Sequence, residues 1–598
     1  MSRRAPRARG RQPAQLVLPL PVNGGLSPQS PAEHGRLRAV DVAHTRLVVV
    51  GLCFLLAFCG VVGRLVDLAA GSDPNLGLAL ANSATWEAAR GDIMDRNGVL
   101  LATSLPTRSL YADPRDVIDP EHTADRLVAL FPELNRSQLL ARLTHDGRFA
   151  WIKRHLTPRE QHAVNRLGLP GIGFRDDQRR VYPQGVVAAH VLGFTDIDSR
   201  GLAGVERHFD ASLGDGEALR LCLDVRIQQI VREELLAAVR EYRAIGGAGL
   251  VLDVVTGEVV AMVSLPDFDP NHRGRSDDDT RFNRVTQGVY EMGSTMKLIT
   301  AAMALDSGAI TLTGGYDASQ PIRRGGHTIR DYRPQNRWLS LPEILVHSSN
   351  IASAHMALDV GGAVQRMYLN QLGMLSPLAL ELSEVGAPLV PGQWRDINIM
   401  TIGFGHGIAV SPLHLAQAVA VIANGGTFMP ATIVDRGDRL PEPKPVLSAE
   451  TSRTMRALMR LNVIMGTGRR ADADGLRLGG KTGTAEKIVG GRYMRNARMS
   501  SFIGVFPVDS PRYVVLAILD EPQGNRSTHF YATGGWVAAP VVRRIAERIA
   551  PVLGVRPVDP ADVPRVTGPD GPDRRRHLLL ASLRTAIADT EGWRGAPR

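Results

Sequence analysis

The sequence predicts an α+β fold. A mostly antiparallel sheet flanked by helices follows an elongated mixed α/β region, behind one apolar N-terminal segment. Three observations predict it. Strand-like apolar runs at 248–254 and 258–264 are joined by Val255-Thr256-Gly257 as a hairpin. Similar runs return more than 200 residues later at 476–481, 500–505 and 513–519, while helical runs such as 413–423 and 448–463 fill the interval. Strands at both ends of so long a segment bury their apolar residues by meeting in one sheet, with the intervening helices on its faces.

Taken in order, the chain opens with a tail, residues 1–46, rich in Arg, Pro, Gly and Ser and expected to be disordered. It holds eight Arg against Glu33 and Asp41, and residues 574–598 hold six Arg against Asp589 and Glu591. These two tails account for the whole net charge of +10, so the body between them is formally neutral. That distribution argues for a membrane-surface or topology signal and against a nucleic-acid partner. Residues 47–63 form a 17-residue stretch without a charge, bounded by Arg46 and Arg64. This is close to the roughly 20 residues that cross about 30 Å of hydrocarbon. We read 47–66 as an uncleaved transmembrane anchor, in preference to a buried helix or a signal peptide. The Arg-rich tail then stays in the cytoplasm and everything after it lies outside.

Residues 67–244 read as a non-catalytic pedestal. Asn97-Gly98 marks a hairpin, and helical patterns cover 124–131 and 137–143. Asp224 caps a helix whose Ile227, Ile230, Val231, Leu235 and Val239 share one face. Residues 245–553 read as the catalytic domain, closed by a helix at 536–549, and 554–598 as a linker and basic tail. Cys53 and Cys59 lie in the apolar run and Cys222 stands by itself, which supports neither disulfides nor a zinc site. No cofactor and no metal are expected.

The chemistry is carried by Ser294-Thr295-Met296-Lys297. With Ser294 in the first turn of a helix, Lys297 falls one turn later on the same face. An amine beside a hydroxyl can take its proton and make it a nucleophile, and the helix N-terminus adds N–H groups for an oxyanion. Alone, this pattern is weak evidence, and a capping serine with a solvated lysine is the favoured reading. Ser348-Ser349-Asn350 follows 54 residues after Ser294, and Lys481-Thr482-Gly483-Thr484 another 133 residues on. Singly these too have plain readings, a helix cap and a strand-end turn. Together, in this order and at domain-scale spacing, the three motifs are those of serine acyltransferases that bind penicillin.

More closely, the chain resembles the class B penicillin-binding proteins, monofunctional D,D-transpeptidases, of the division-specific FtsI type. The stretches from Arg90-Gly91-Asp92 to Asn97-Gly98, from Ala188 to Asp196, and Gly204-Val205-Glu206-Arg207 are similar to that group's N-terminal module. The resemblance implies that Ser294 is the nucleophile and Lys297 its base. Ser348 then relays a proton between a lysine and the leaving amine, and Asn350 holds a substrate amide. Lys481 places charge near the substrate carboxylate, with Thr482, Gly483 and Thr484 along the substrate. The N–H groups of Ser294 and Thr484 would form the oxyanion hole. It also implies cross-linking of septal peptidoglycan stem peptides with release of D-Ala, and acylation by β-lactam antibiotics. Partnership with an FtsW-type glycosyltransferase and other divisome proteins at the inner membrane follows as well. An elongation-specific enzyme and a membrane-anchored β-lactam sensor are the alternatives. Met292 departs from the family's usual Pro before Gly293, which can loosen the turn. His406, in the glycine-rich stretch 403–407, reads as a loop histidine beside the site.

Overall fold

A computed structural model describes residues 46, 48–64, 89–275, 277–489 and 492–558. The expected basic tails, but for residues 46 and 554–558, and the first part of the pedestal lie outside the described residues. Residues 48–64 are helical, with the side chains of Phe54, Leu55, Leu56 and Phe58 exposed. Among the described residues no helix is long and apolar enough to cross a membrane. Residues 47, 65 and 66 of the expected anchor lie outside them. This helix stands in one compact unit, and the chain from Ala88 onward forms a second.

The pedestal is built on β1 (Ile93–Met94), β2 (Leu100–Ala112), β3 (Ala150–Leu156), β4 (Ile172–Val181) and β5 (Leu219–Arg220). The expected Asn97-Gly98 hairpin joins β1 to β2. Gly98 takes φ +83°, and Asp95 Oδ1 accepts from the N–H groups of Asn97 (2.8 Å) and Val99 (2.9 Å). Two helices, α1 (Pro120–Leu130) and α2 (Arg136–Leu143), are capped by Asp119 and Asn135. They seat Leu127, Leu139 and Leu143 against Ile152 and Leu156 of β3. Nearer the catalytic domain, Glu206 is fully buried. It accepts from Arg90 Nε and Arg180 Nε, each at 2.7 Å, and from Tyr182 OH at 3.3 Å. Two guanidinium groups around one carboxylate offset the desolvation of all three charges.

The catalytic domain is organised by a five-stranded sheet. Its members are β6 (Gly246–Asp253), β7 (Val259–Leu265), β8 (Gly479–Val489), β9 (Arg492–Phe506) and β10 (Tyr513–Asp520). The order is β8-β9-β10-β6-β7, antiparallel throughout. Side chains of β6 and β10 alternate between two cores. Leu250, Leu252, Val514, Leu516 and Ile518 enter one, while Val251, Val515, Ala517 and Leu519 enter the other. Because both faces are covered, these strands read as unbroken apolar runs rather than as alternating ones.

One face is covered by α3 (Val225–Glu241) and the C-terminal α9 (Ala539–Val552), through Ile227, Val231, Leu235, Val542, Ile545 and Ile549. Asp224 caps α3 as expected, accepting from Arg226 N. Although α3 precedes residue 245, its apolar face is part of the core behind the sheet. The other face carries α4 (Met296–Asp306), α5 (Leu341–His347), α6 (Asn350–Val360), α7 (Pro412–Ala423) and α8 (Ala449–Met465). Pedestal and sheet domain are bonded directly, by Arg96–Glu258 at 3.0 Å, Gln228 Nε2 to Val187 O at 2.8 Å and Gly204 N to Glu384 Oε2 at 3.1 Å.

Candidate active site

The three motifs meet at the edge strand β8. Gly293–Thr295 is a single 3₁₀ turn running into α4. Gly293 takes φ +55°, and a Cβ on it would stand 2.8 Å from Thr484 O. A Cβ on Gly405 would stand 2.0 Å from Gly293 O, while Gly293 N donates to Gly405 O at 3.1 Å. The turn is thus wedged between β8 and the 403–407 loop with no room for side chains. Met292 does not loosen it. The residue is buried at φ −83°, near the value proline imposes, and its carbonyl accepts from Thr295 Oγ1 at 2.8 Å. On β8, a Cβ on Gly483 would lie 2.3 Å from Ser501 Oγ and 2.8 Å from Met292 O, so only glycine lets the strand lie against this turn.

Ser294 is half-buried, and Lys297, one turn on, is 1% exposed. The Lys297 ammonium meets three acceptors: Ser348 O (2.6 Å), Asn350 Oδ1 (2.7 Å) and Ser348 Oγ (3.1 Å). That satisfies its three donors. From the opposite side Lys481 Nζ, fully buried, reaches Ser348 Oγ at 3.0 Å and Thr467 Oγ1 at 3.3 Å. Ser348 therefore bridges the two lysines. It can do so because it ends α5 in the left-handed region, φ +59° and ψ +46°, which turns both its carbonyl and its hydroxyl toward Lys297. This is a helix cap, as the plain reading had it, but one placed inside the site.

Burial lowers the pKa of both lysines. Lys297 is held well below the usual lysine value, first by desolvation and then by the Lys481 charge, with Asp331 opposing. Desolvation pulls Lys481 down to about 7. Two buried amines that share one hydroxyl, with no directly bonded carboxylate among the described residues, do not both hold a proton comfortably. One neutral amine is what a general base at Ser294 needs.

Two residues that sequence reasoning missed hold the site. Asp331 is buried and accepts from Ser349 Oγ (2.7 Å), Asn350 N (2.5 Å) and Ile351 N (3.0 Å), so it anchors the Ser348-Ser349-Asn350 corner. Thr467 accepts from Thr482 Oγ1 at 2.7 Å as well as from Lys481. Neither belongs to a short motif, and their partners are remote in sequence. The hydroxyls expected along the substrate are already engaged: Thr482 donates to Thr467, and Thr484 donates to Gly483 O at 2.8 Å and accepts from Gly534 N at 3.1 Å. His406 packs beside the turn, 4.0 Å from Glu291. Burial first, and then the nearby Lys297, depress its pKa, with Glu486 opposing.

Comparison with known proteins accounts for both parts of the chain. The penicillin binding protein transpeptidase domain matches residues 247–547, and the penicillin-binding protein dimerisation domain matches residues 85–214. The probable peptidoglycan D,D-transpeptidase FtsI of Caulobacter vibrioides is 44% identical over 486 residues, covering 79% of this chain and 82% of the relative. The chain belongs to the class B penicillin-binding proteins. The peptidoglycan D,D-transpeptidase FtsI of Escherichia coli is 32% identical, with 84% and 91% covered. Among solved structures, penicillin binding protein 3 of Mycobacterium tuberculosis complexed with ampicillin is 25% identical. It superposes with a TM-score of 0.64, covering 80% of this chain and 98% of that one. In this class B penicillin-binding protein, the turn at Ser294, the bridge at Ser348 and the edge strand at Lys481 all fall within the matched transpeptidase domain.

Proposed function

We propose that this chain is a serine D,D-transpeptidase that cross-links peptidoglycan stem peptides and is acylated by β-lactams. The observation that carries the reading is Ser348 Oγ held between Lys481 Nζ and Lys297 Nζ, both buried, with Lys297 one helical turn from Ser294. Ser294 Oγ attacks the carbonyl between the two terminal D-Ala residues while neutral Lys297 takes its proton. Preorganised N–H groups of Ser294 and Thr484 meet the oxyanion. The C–N bond breaks, and the departing D-Ala amine receives a proton relayed through Ser348 from the lysine pair. The amine of a second stem peptide then attacks the ester and loses a proton to the same groups. The new amide forms and Ser294 Oγ regains its proton.

The relatives named FtsI support a septal role, exercised with an FtsW-type glycosyltransferase and other divisome proteins. The exposed apolar side chains of residues 48–62 support a single N-terminal anchor over 47–66, with the catalytic domain outside the inner membrane. Incubating the purified chain with a donor peptide ending in D-Ala-D-Ala and an amine-bearing acceptor tests the chemistry. The reading requires a cross-linked product and one D-Ala released per link; D-Ala release without any transfer product contradicts it. A fluorescent fusion gathering at the septum supports the division role, and an even lateral distribution points to an elongation enzyme.

A further inference from the structure

Residues 322–338 carry five arginines (Arg323, Arg324, Arg330, Arg333 and Arg337) against a single aspartate, in a body that is formally neutral as a whole. They form an arm beside the site. Ile322–Arg324 pairs antiparallel with His327–Ile329 across a Gly325-Gly326 turn whose φ values are +57° and +78°. The acidic groups that face the arm are already committed. Asp396 pairs with Arg324 and Glu343 with Arg337. Asp317 caps the Ser319 turn, and the arm's own Asp331 points inward to the N–H groups of residues 350 and 351. Arg323, Arg330 and Arg333 stay exposed with no ion pair among the described residues, next to Tyr332, which is 70% exposed.

The arm is fastened to the reacting groups. Arg330 O accepts from Asn350 Nδ2 at 3.0 Å, and Asp331, between Arg330 and the exposed Tyr332-Arg333, fixes the backbone of Asn350. We propose that Arg323, Arg330 and Arg333 form a carboxylate-binding arm that captures the anionic stem peptide serving as acyl acceptor. The inference rests on the transpeptidase reading. Cross-linking brings a second peptide to the acyl-enzyme, and that peptide carries free carboxylates along with its nucleophilic amine. The two site lysines are buried and committed to Ser348, whereas the exposed guanidinium groups of the arm stay charged and grip carboxylates with paired N–H donors. Lys481 and β8 form one wall for the donor. The arm is bonded to Asn350, whose Oδ1 accepts from Lys297 on the helix that follows Ser294. Exposed cations of this kind steer and hold an anion with strong salt dependence.

The test uses the full chain in detergent and two acceptor peptides of identical sequence, one with free carboxylates and one with carboxamides. The triple variant Arg323→Gln, Arg330→Gln, Arg333→Gln raises KM for the carboxylate acceptor on the order of tenfold, as expected for the loss of three exposed charge contacts. It leaves the carboxamide acceptor and the rate of penicillin labelling at Ser294 unchanged. Raising the salt to about 0.5 M weakens wild-type use of the carboxylate acceptor in the same way. Equal KM values for the two acceptors in the wild type overturn the proposal, and so does an equal loss with both acceptors in the variant. Loss of binding to anionic lipid vesicles with acceptor use unchanged overturns it too, reassigning the arm to a membrane surface. Should the wild type fail to be labelled by penicillin, the transpeptidase reading falls. Titration of the carboxylate acceptor against wild type and variant then still decides the arm, with weaker binding by the variant expected and equal binding contradicting it.

Discussion

Lys481 Nζ lies 3.0 Å from Ser348 Oγ, joining residues 133 positions apart in the chain. The same oxygen lies 3.1 Å from Lys297 Nζ. Among the described residues a single hydroxyl therefore links a lysine on α4 to a lysine on the sheet edge. Ser348→Ala removes that link without adding bulk. Acylation by a chromogenic cephalosporin should slow by about 10²–10⁴-fold, the range of a positioned proton-transfer group. The thermal transition should stay near that of the wild type. An unchanged acylation rate would contradict the relay.

The lysine pair sets the pH dependence. Lys297 must be neutral to act as base, and its pKa is depressed, so acylation should rise with pH and reach its plateau well below the usual lysine range. The charge of Lys481 helps to depress it, so Lys481→Met should move the rising limb toward higher pH. Asp331 opposes the depression, so Asp331→Asn should move the limb toward lower pH. Rate–pH profiles of the two variants shifting in the same direction would contradict this electrostatic account. Linkage has a definite sign as well. A depressed lysine binds fewer protons in the folded than in the unfolded chain, so its contribution to stability is present above the unfolded value of 10.5. It is lost as pH falls from there toward about 7 for Lys481.

The pedestal has its own test at Glu206, which is fully buried between Arg90 and Arg180. Glu206→Ala leaves two guanidinium groups buried without their carboxylate, a loss of about 3–5 kcal/mol. Calorimetry should show a lowered melting transition. Ser294 is on a separate element, so the fraction of folded protein labelled by penicillin at low temperature should be preserved. A wild-type transition in the variant would show that the triad is not structural.

How much of this was legible in the sequence depends on the range of the interactions. The Asn97-Gly98 hairpin and the Asp224 cap are local, set by residues two to four apart, and the structure has both. The sheet was legible in outline because strands buried on both faces are apolar throughout. The first return strand is an exception: the 476–481 run ends where the apolar residues stop, whereas β8 continues as Gly479–Val489 through Thr482-Gly483-Thr484. Backbone pairing with β9 sustains it there, and composition does not reveal pairing. The three motifs were legible as motifs, and their meeting at Ser348 needed the fold. Its left-handed backbone has no sequence signature, since serine rarely adopts it. Asp331 and Thr467 were invisible for a related reason: their partners at 349–351 and 481–482 come near only when α6 and β8 are in place.

Covalent labelling tests the central claim most directly. A labelled penicillin incubated with the purified chain should modify one site stoichiometrically. Mass spectrometry should place the adduct on the peptide containing Ser294, and Ser294→Ala should abolish it while the variant melts like the wild type. Persistent labelling of Ser294→Ala, or an adduct on any other residue, would contradict the assignment of Ser294 as the acylated nucleophile.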